Sequence, residues 1–495
     1  MKTKISLILL LLAAWLLVGC EPINEPTTEE GGTTTVDDSN IASVNKVTNY
    51  YGTIYEVILK DGNRMYFGIK NDSEVRMGNW GYFYDGSGYE YEKYAAYEYK
   101  GHLVIPEKIT LEGKEYTVTE LYGMSVGSFN TYDQEYKNPN TTLLSVTIPK
   151  TIKKMTDYCF QACTSLKSVT FEKGSPIKEL SEQFRGCSSL EDVVLPDNLS
   201  SIGRDAWSAT FAFCTSLKTI TLPKSVTTIK DEAFYGCTAL ENINLENIKV
   251  VGESAFHTSQ GAFAGCTSLK TINLENAVKI HQNAFYKCTS LETVNLENVE
   301  YIGEYAFSGC TSLKNINLES TINIYDYAFQ KCTSLEEVKL DRLEVLGAYA
   351  FDSCVSLKHI ELPSIKYFGV SAKGDDEDKW WEAGYALKNC HSLETVILGS
   401  LLRQTNYVND NSLFYDCKSL KDVYCYATNP PMFVDWQVGR SDGRMFVGDF
   451  VLHVPASSIE AYKETAWGDV YRVREDDGFI YHDDDVVRTI VAIEE

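Results

Sequence analysis

Histidine is scarce in this 495-residue chain: seven residues, at 102, 257, 281, 359, 391, 453 and 482. No HExxH pair, CxxC pair or Cys/His spacing of the zinc-finger kind occurs, which removes the usual sequence signatures of a zinc site. There is no phosphate-cradling glycine loop, dinucleotide fingerprint or nucleophile elbow either, so nothing nominates a phosphoryl-transfer, redox or acyl-transfer centre. Positive charge is also short. Lys+Arg number 45 against 69 Asp+Glu, a formal net charge of −24, which argues against nucleic acid because phosphate binding needs a basic surface. Past the first twenty residues no apolar run is long enough to cross a bilayer. These absences lead us to expect no enzyme activity, no cofactor and no bound metal.

Cysteine is not scarce: there are 14. The first, Cys20, closes an uncharged apolar run from Ile5 to Gly19 that follows Lys2 and Lys4. A run of that length suits a signal-peptide core, residues 1–19. The ending Leu17-Val18-Gly19-Cys20 resembles a bacterial lipobox. That resemblance implies cleavage before Cys20 and acylation of it, and several acyl chains anchor a protein firmly. Residues 20–40 are rich in Pro, Thr, Gly and acids and read as a solvated tether. Glu21 follows the cysteine where an inner-membrane retention signal often has Asp, so the expected location is the outer membrane, with the globular part displayed at the surface.

The rest of the chain is a repeat. Residues 226–245 read VTTIKDEAFYGCTALENINL, 299–318 read VEYIGEYAFSGCTSLKNINL, and 343–362 read LEVLGAYAFDSCVSLKHIEL. Eleven cysteines occupy one slot of this pattern, Cys163, Cys187, Cys214, Cys237, Cys266, Cys288, Cys310, Cys332, Cys354, Cys390 and Cys417, with a base period of 22 to 23 residues. That period falls in the leucine-rich-repeat range. In L-x-x-I-x-L the last two apolar residues share one face of a short strand. The I-x-x-I-G-x-x-A-F half returns along the other side. A single coil cannot bury its apolar face, but stacked coils share a core and pair their strands in parallel. Beside Ala-Phe, the cysteine slot turns inward, where a thiol behaves as a small hydrophobe. Stacked side chains pointing the same way disfavour the disulfide dihedral, so a reduced core ladder is expected. Cys159 and Cys425 fall outside the register.

The A-F-x-x-C-x-S-L-x-x-I-x-L block, for example Ala306-Phe307 with Cys310, Ser312, Leu313, Ile316 and Leu318, resembles the BspA-like leucine-rich-repeat family of bacterial surface proteins. The resemblance runs over roughly residues 101 to 470 and departs from the pattern at 129–142 and 371–386. It implies a leucine-rich-repeat solenoid with a parallel sheet on one face, and adhesion to matrix proteins or cells. The expected organisation is a β-rich amino-terminal cap at 41–100, a solenoid at 101–429, a carboxy-terminal cap at 430–475 and an acidic tail at 476–495. In the amino-terminal cap Tyr89, Tyr91, Tyr97 and Tyr99 alternate with polar residues, as in a half-buried strand.

Three exposed rows follow from the register. Thr219, Thr221, Asn242, Asn244, Thr271, Asn273, Thr293, Asn295, Asn315 and Asn317 face outward from the strands. They form either hydrogen-bonded ladders that support the sheet or a polar platform for glycan or extended peptide. The residue after each first strand leucine alternates in sign from Lys167 and Glu191 through to Glu394 and Lys421, which suits a salt-bridge ladder that fixes stacking order. Glu246, Glu275, Glu297, Glu319 and Asp341 follow the strand ends. They are a solvated edge or an acidic stripe that concentrates cations or docks a basic partner.

Insertions recur between the Ile-Gly half and the cysteine, hence along one edge. The insertion SAKGDDEDKWWEAG carries Trp380 and Trp381 beside Asp375, Asp376 and Asp378. It either grips a partner or stacks on sugar, or folds back over the enlarged loop. Two partner classes result: a host or neighbouring-cell surface protein, and, as the alternative, a glycan captured for polysaccharide uptake.

Overall fold

The computed structural model describes residues 40–49, 52–78, 83–84, 89–90, 100–123, 128–130, 135–137, 139–204, 208–252, 260–369, 384–406, 414–434, 449–465, 467, 469–473 and 480–493. Each coil begins with the short strand the L-x-x-I-x-L pattern demands. In Asn315–Asn317 the middle Ile316 is buried and both asparagines are exposed. This strand pairs in parallel with Glu337–Lys339 of the next coil. The same geometry runs from Gly101–Val104, which pairs with Leu143–Ile148, to Val451–Val454 near the far end.

The expectation of a parallel sheet on one face needs enlarging. These front strands form separate sheets of four, two, two, two and five strands. The continuous sheet belongs to the return half: eleven parallel strands, most of two residues, from Glu179–Leu180 to Met432–Val434. The shortness of one front pair has a visible cause. Asn244 Nδ2 donates to the Leu222 carbonyl at 3.0 Å, and its Oδ1 accepts from the Leu222 amide at 2.7 Å. The side-chain amide takes both backbone groups that would have made the next rung, so the pair ends after Thr219–Ile220.

The A-F-x-x-C corner makes a third ladder. The amide of Phe307 donates to Ala328 of the next coil at 2.8 Å, as Phe285 does to Ala306. Nine buried phenylalanines, Phe160 to Phe351, stack with ring centroids 5.2–5.6 Å apart. The cysteines among the described residues are unbonded to one another, and all but Cys417 are buried. Each thiol from Cys187 to Cys390 donates to the carbonyl of the phenylalanine one coil back, for example Cys310 Sγ to Phe285 O at 3.3 Å and Cys332 Sγ to Phe307 O at 3.2 Å. Burial pushes the thiols of Cys187, Cys237, Cys288 and Cys332 up to about 12, which keeps the donating proton in place. Those carbonyls also accept the amide of the cysteine in their own coil, for example Cys288 N to Phe285 O at 3.2 Å, so the thiol fills the second acceptor site of each carbonyl. The two cysteines outside the register do the same work with other partners. Cys159 donates to Thr156 O at 2.9 Å, and Cys425 lies 3.3 Å from the Tyr462 hydroxyl.

The corner turns sharply because it uses left-handed backbone. The residue before the cysteine has φ +58° at Lys287, +78° at Gly309 and +60° at Lys331. The residue before Ala-Phe has φ +55° at Tyr305 and +57° at Tyr327. Glycine adopts this conformation without steric cost and other residues do not, so the non-glycine positions are sites where stacking overrides local preference.

Further strands adjoin the array at both ends. An antiparallel meander, Ile41–Asn49, Gly52–Leu59, Arg64–Ile69 and Glu74–Gly78, joins Lys114–Tyr122, whose far edge pairs with Lys154–Met155 of the array. Glu74 accepts from Lys153 across this junction at 2.6 Å, and that bond, with Lys70, holds its carboxyl down to about 2. Of the alternating tyrosines, Tyr89 is in a two-residue strand; Tyr91, Tyr97 and Tyr99 lie outside the described residues. At the other end Tyr462 and Trp467 are fully buried, with the Tyr462 hydroxyl donating to Ala427 O at 2.8 Å. The segment read as an acidic tail is folded: Ile480–Val487 pairs with Asp469–Val473, and Ile490–Ala492 adds the last strand beside Val451–Val454. Its apolar residues supply that strand, which the acid count obscured. Among the described residues no helix is long and apolar enough to cross a membrane.

Candidate binding edge

The rows read from sequence lie where the register placed them. Thr271, Asn273, Thr293, Asn295, Asn315 and Asn317 are exposed on the front strands. They are joined in places: Asn295 Nδ2 donates to Asn273 Oδ1 at 2.8 Å. The alternating row closes into ion pairs at Lys270–Glu241, 3.3 Å, and Lys421–Glu394, 2.8 Å, and the Lys421 bond lowers the Glu394 carboxyl. Exposed pairs of this kind contribute little each.

The acidic row is more engaged than its charges suggest. Glu246 and Glu275 are half-buried, and their backbone carbonyls accept from Asn276 and Asn298 of the following coils at 2.6 Å. Glu275 also accepts from Asn273 at 3.3 Å, and Glu319 pairs with Lys339 at 3.4 Å. Glu297 and Asp341 are exposed. Among the described residues no three His, Cys, Asp or Glu side chains converge as a metal site would require. Cys20, Asp375, Asp376, Asp378, Trp380 and Trp381 lie outside the described residues. The insertion bearing the tryptophans leaves and returns at one point, where Gly384 N donates to Gly369 O at 2.9 Å.

What the sequence reading missed is the corner edge. The residue before Ala-Phe is tyrosine at 305, 327 and 349, and Tyr385 stands in the same slot before Ala386-Leu387. All four are half-buried; Tyr305, Tyr327 and Tyr349 stack coil on coil with centroids 4.6 and 4.7 Å apart, and Tyr385 is tilted against Tyr349 at 5.1 Å. Tyr286 meets Tyr305 edge-on at one end and Tyr415 meets Tyr385 edge-on at the other. Lysines sit among them. Lys388 Nζ lies 4.4 Å from the Tyr385 centroid and within 6 Å of Tyr349 and Tyr415; Lys287 Nζ lies 4.9 Å from Tyr286. Such cation–π contacts hold a lysine at a fixed place on the surface.

Toward the amino terminus the same slot holds carboxyls. Glu182 and Glu232 are buried, at 8% exposure each. Glu182 accepts from the Tyr158 hydroxyl at 3.2 Å and lies 3.8 Å from Arg185. Burial pushes Glu182 up to about 7, against the opposing pull of Arg185 and Tyr158, and burial raises Glu232 as well. The Y-A-F triplets were present in the sequence as a signal. What was missing was that in the tyrosine coils this slot stands partly open to solvent.

A family model for the BspA type leucine rich repeat region matches in six copies, over residues 132–261 and 257–372. Residues 132–372 are a BspA type leucine-rich-repeat region. No curated protein matches the chain. Among solved structures the BspA-type array is similar to a leucine-rich repeat protein from Bacteroides ovatus, at 21% identity and a TM-score of 0.51, covering 87% of this chain and 98% of that one. It is also similar to the pneumococcal vaccine antigen PcpA, at 18% identity and a TM-score of 0.44, covering 92% and 100%. A leucine rich cell surface protein from Faecalibacterium prausnitzii matches at 18% identity and a TM-score of 0.34, covering 74% and 93%. At these identities the likeness is one of fold. The BspA-type motif accounts for the buried Ala, Phe, Cys, Leu and Ile positions. The tyrosines, lysines and carboxyls of the corner edge lie outside that buried set.

Proposed function

We propose that the protein is a cell-surface lipoprotein whose BspA-type array binds another protein, on host matrix or on a neighbouring cell, through the tyrosine–lysine corner edge. The observation that carries this reading is the run of Tyr305, Tyr327 and Tyr349, stacked ring on ring, with Tyr385 tilted against its end. Tyrosine is enriched at protein interfaces and their hot spots. Rings already ordered against one another lose little entropy on association. Display at the surface is supported by the repeat type and by the lipobox-like Leu17-Val18-Gly19-Cys20. A glycan partner is the second reading, favoured by the exposed Thr and Asn side chains of the front strands.

Two experiments test this. The full chain is applied to a panel of immobilised matrix proteins beside a glycan array. Protein binding is expected, and replacing Tyr327 and Tyr349 together by alanine should weaken it by about 2 kcal/mol, some thirtyfold. Binding confined to the glycan array would reverse the order of the two readings. For the anchor, Cys20→Ser is expected to move the chain from the membrane fraction to the soluble one; retention in membranes would remove the lipid from the reading.

A further inference from the structure

The spacing of charge along the tyrosine edge is regular. Lys287 and Lys331 fill the same slot two coils apart, and Lys388 lies two coils further on, one residue from that slot. The intervening positions are the small Gly309 and Ser353. Lys287 and Lys331 are exposed, and Lys388 is half-buried over its tyrosines. Coils stack at about 4.8 Å, so the lysines recur at about 9.6 Å. The carboxylates of this stretch are largely turned inward. Asp326 is buried and accepts from Ala348 N at 2.9 Å. Asp352 is buried and accepts from Gln330 and Asn389 at 2.9 and 3.0 Å. Glu304 is half-exposed. The stacked rings of Tyr305, Tyr327 and Tyr349 cover one another's faces, so what they turn to solvent is their edges, the positive part of the ring quadrupole. In a chain of net charge −24, this edge attracts an anion.

The period selects the form of the anionic chain. A polyproline-II segment makes three residues per turn at 3.1 Å each, so one face repeats at about 9.3 Å. A β-strand repeats a face at about 6.6 Å. An α-helix rises 5.4 Å per turn, and two turns overshoot. We infer that the tyrosine–lysine edge docks an extended, proline-rich peptide segment carrying an acidic residue at every third position. The carboxylates pair with Lys287, Lys331 and Lys388, and the proline rings lie along the tyrosine edges. The segment reaches the site preordered, with little entropy left to lose. This inference rests on the reading of the edge as a protein-binding surface and names its partner's chemistry.

The test is fluorescence anisotropy of the full chain with a labelled peptide of six Pro-Pro-Glu triplets. Saturable binding is expected, weakening with added salt. A peptide of Pro-Pro-Lys triplets should not bind, and oligoglutamate of equal charge should bind about tenfold more weakly. The substitution K331E sits on an exposed side chain and should cost about tenfold in affinity. Equal binding of oligoglutamate overturns the conformational match. Binding unchanged in K331E places the peptide elsewhere and overturns the site. Capture of an acidic oligosaccharide in preference to the peptide, with the same K331E sensitivity, assigns the edge to polysaccharide. If these fail while matrix binding still depends on Tyr327 and Tyr349, the inference falls and the surface-binding reading stands.

Discussion

Replacing Phe307 by alanine is expected to destabilise the array by about 3–5 kcal/mol, the range for emptying a well-packed aromatic site. Phe307 is fully buried, stacked between Phe285 at 5.3 Å and Phe329 at 5.4 Å. Its carbonyl also accepts the Cys332 thiol at 3.2 Å. A solenoid coil touches only its neighbours, so the damage stays local and weakens the coupling between the two halves. Denaturant unfolding followed by circular dichroism should show a lowered midpoint and a broader transition, as the halves begin to melt separately. Leucine at the same position should restore most of the loss, because Leu387 already fills the equivalent slot further along the array, fully buried. A loss below about 1 kcal/mol in the alanine variant would mean that the phenylalanine ladder is filler and not the spine of the fold.

The second large effect is a pH dependence centred on Glu182. Its carboxyl is raised by burial from the ordinary 4.5 to about 7. Folding therefore favours the protonated form. The stability it contributes is fully present below pH 4.5 and is lost as pH rises through 7. The span between the two values corresponds to at most about 3–4 kcal/mol, at roughly 1.4 kcal/mol per unit. Glu232, raised in the same direction by burial, adds to the slope. The substitution Glu182→Gln keeps the shape and an acceptor for Tyr158 while removing the charge. Thermal melts from pH 5 to pH 8 should show the parent chain losing stability over that window and the variant losing distinctly less. At pH 8 the variant should be the more stable of the two. A variant that is less stable at pH 8 would show that the ion pair with Arg185, at 3.8 Å, outweighs the burial of the charge.

The core of this protein was legible in its sequence to the level of single residues. Periodic placement of Ala, Phe, Cys, Leu and Ile decides which side chains leave water, and removal of apolar surface from water is the main force driving folding. The eleven register cysteines, the outward Thr and Asn rows and the coil period all follow from that pattern. The thiol's role was only half legible: its burial was expected, but its bond to the Phe carbonyl one coil back depends on how far each coil is offset from the next. The second sheet was hidden for a similar reason, since two-residue strands are too short to show an alternation. The acidic tail misled because three aspartates in a row outweighed the apolar residues that make the last strand.

The candidate site divides the same way. The rows beside the strands could be read because strand geometry forces alternate residues outward. The tyrosine–lysine edge could not, because a left-handed corner has no periodicity of its own. Whether Tyr305, Lys331 or Glu182 meets solvent there depends on the size of the residues in the coils on either side. Apolar periodicity was enough to dictate that the chain stacks into a solenoid, and which atoms form its interior, because no single coil can bury its own face. Which variable residues stand side by side on the surface, a full coil or more apart in the chain, was settled by the offset and packing of the folded coils.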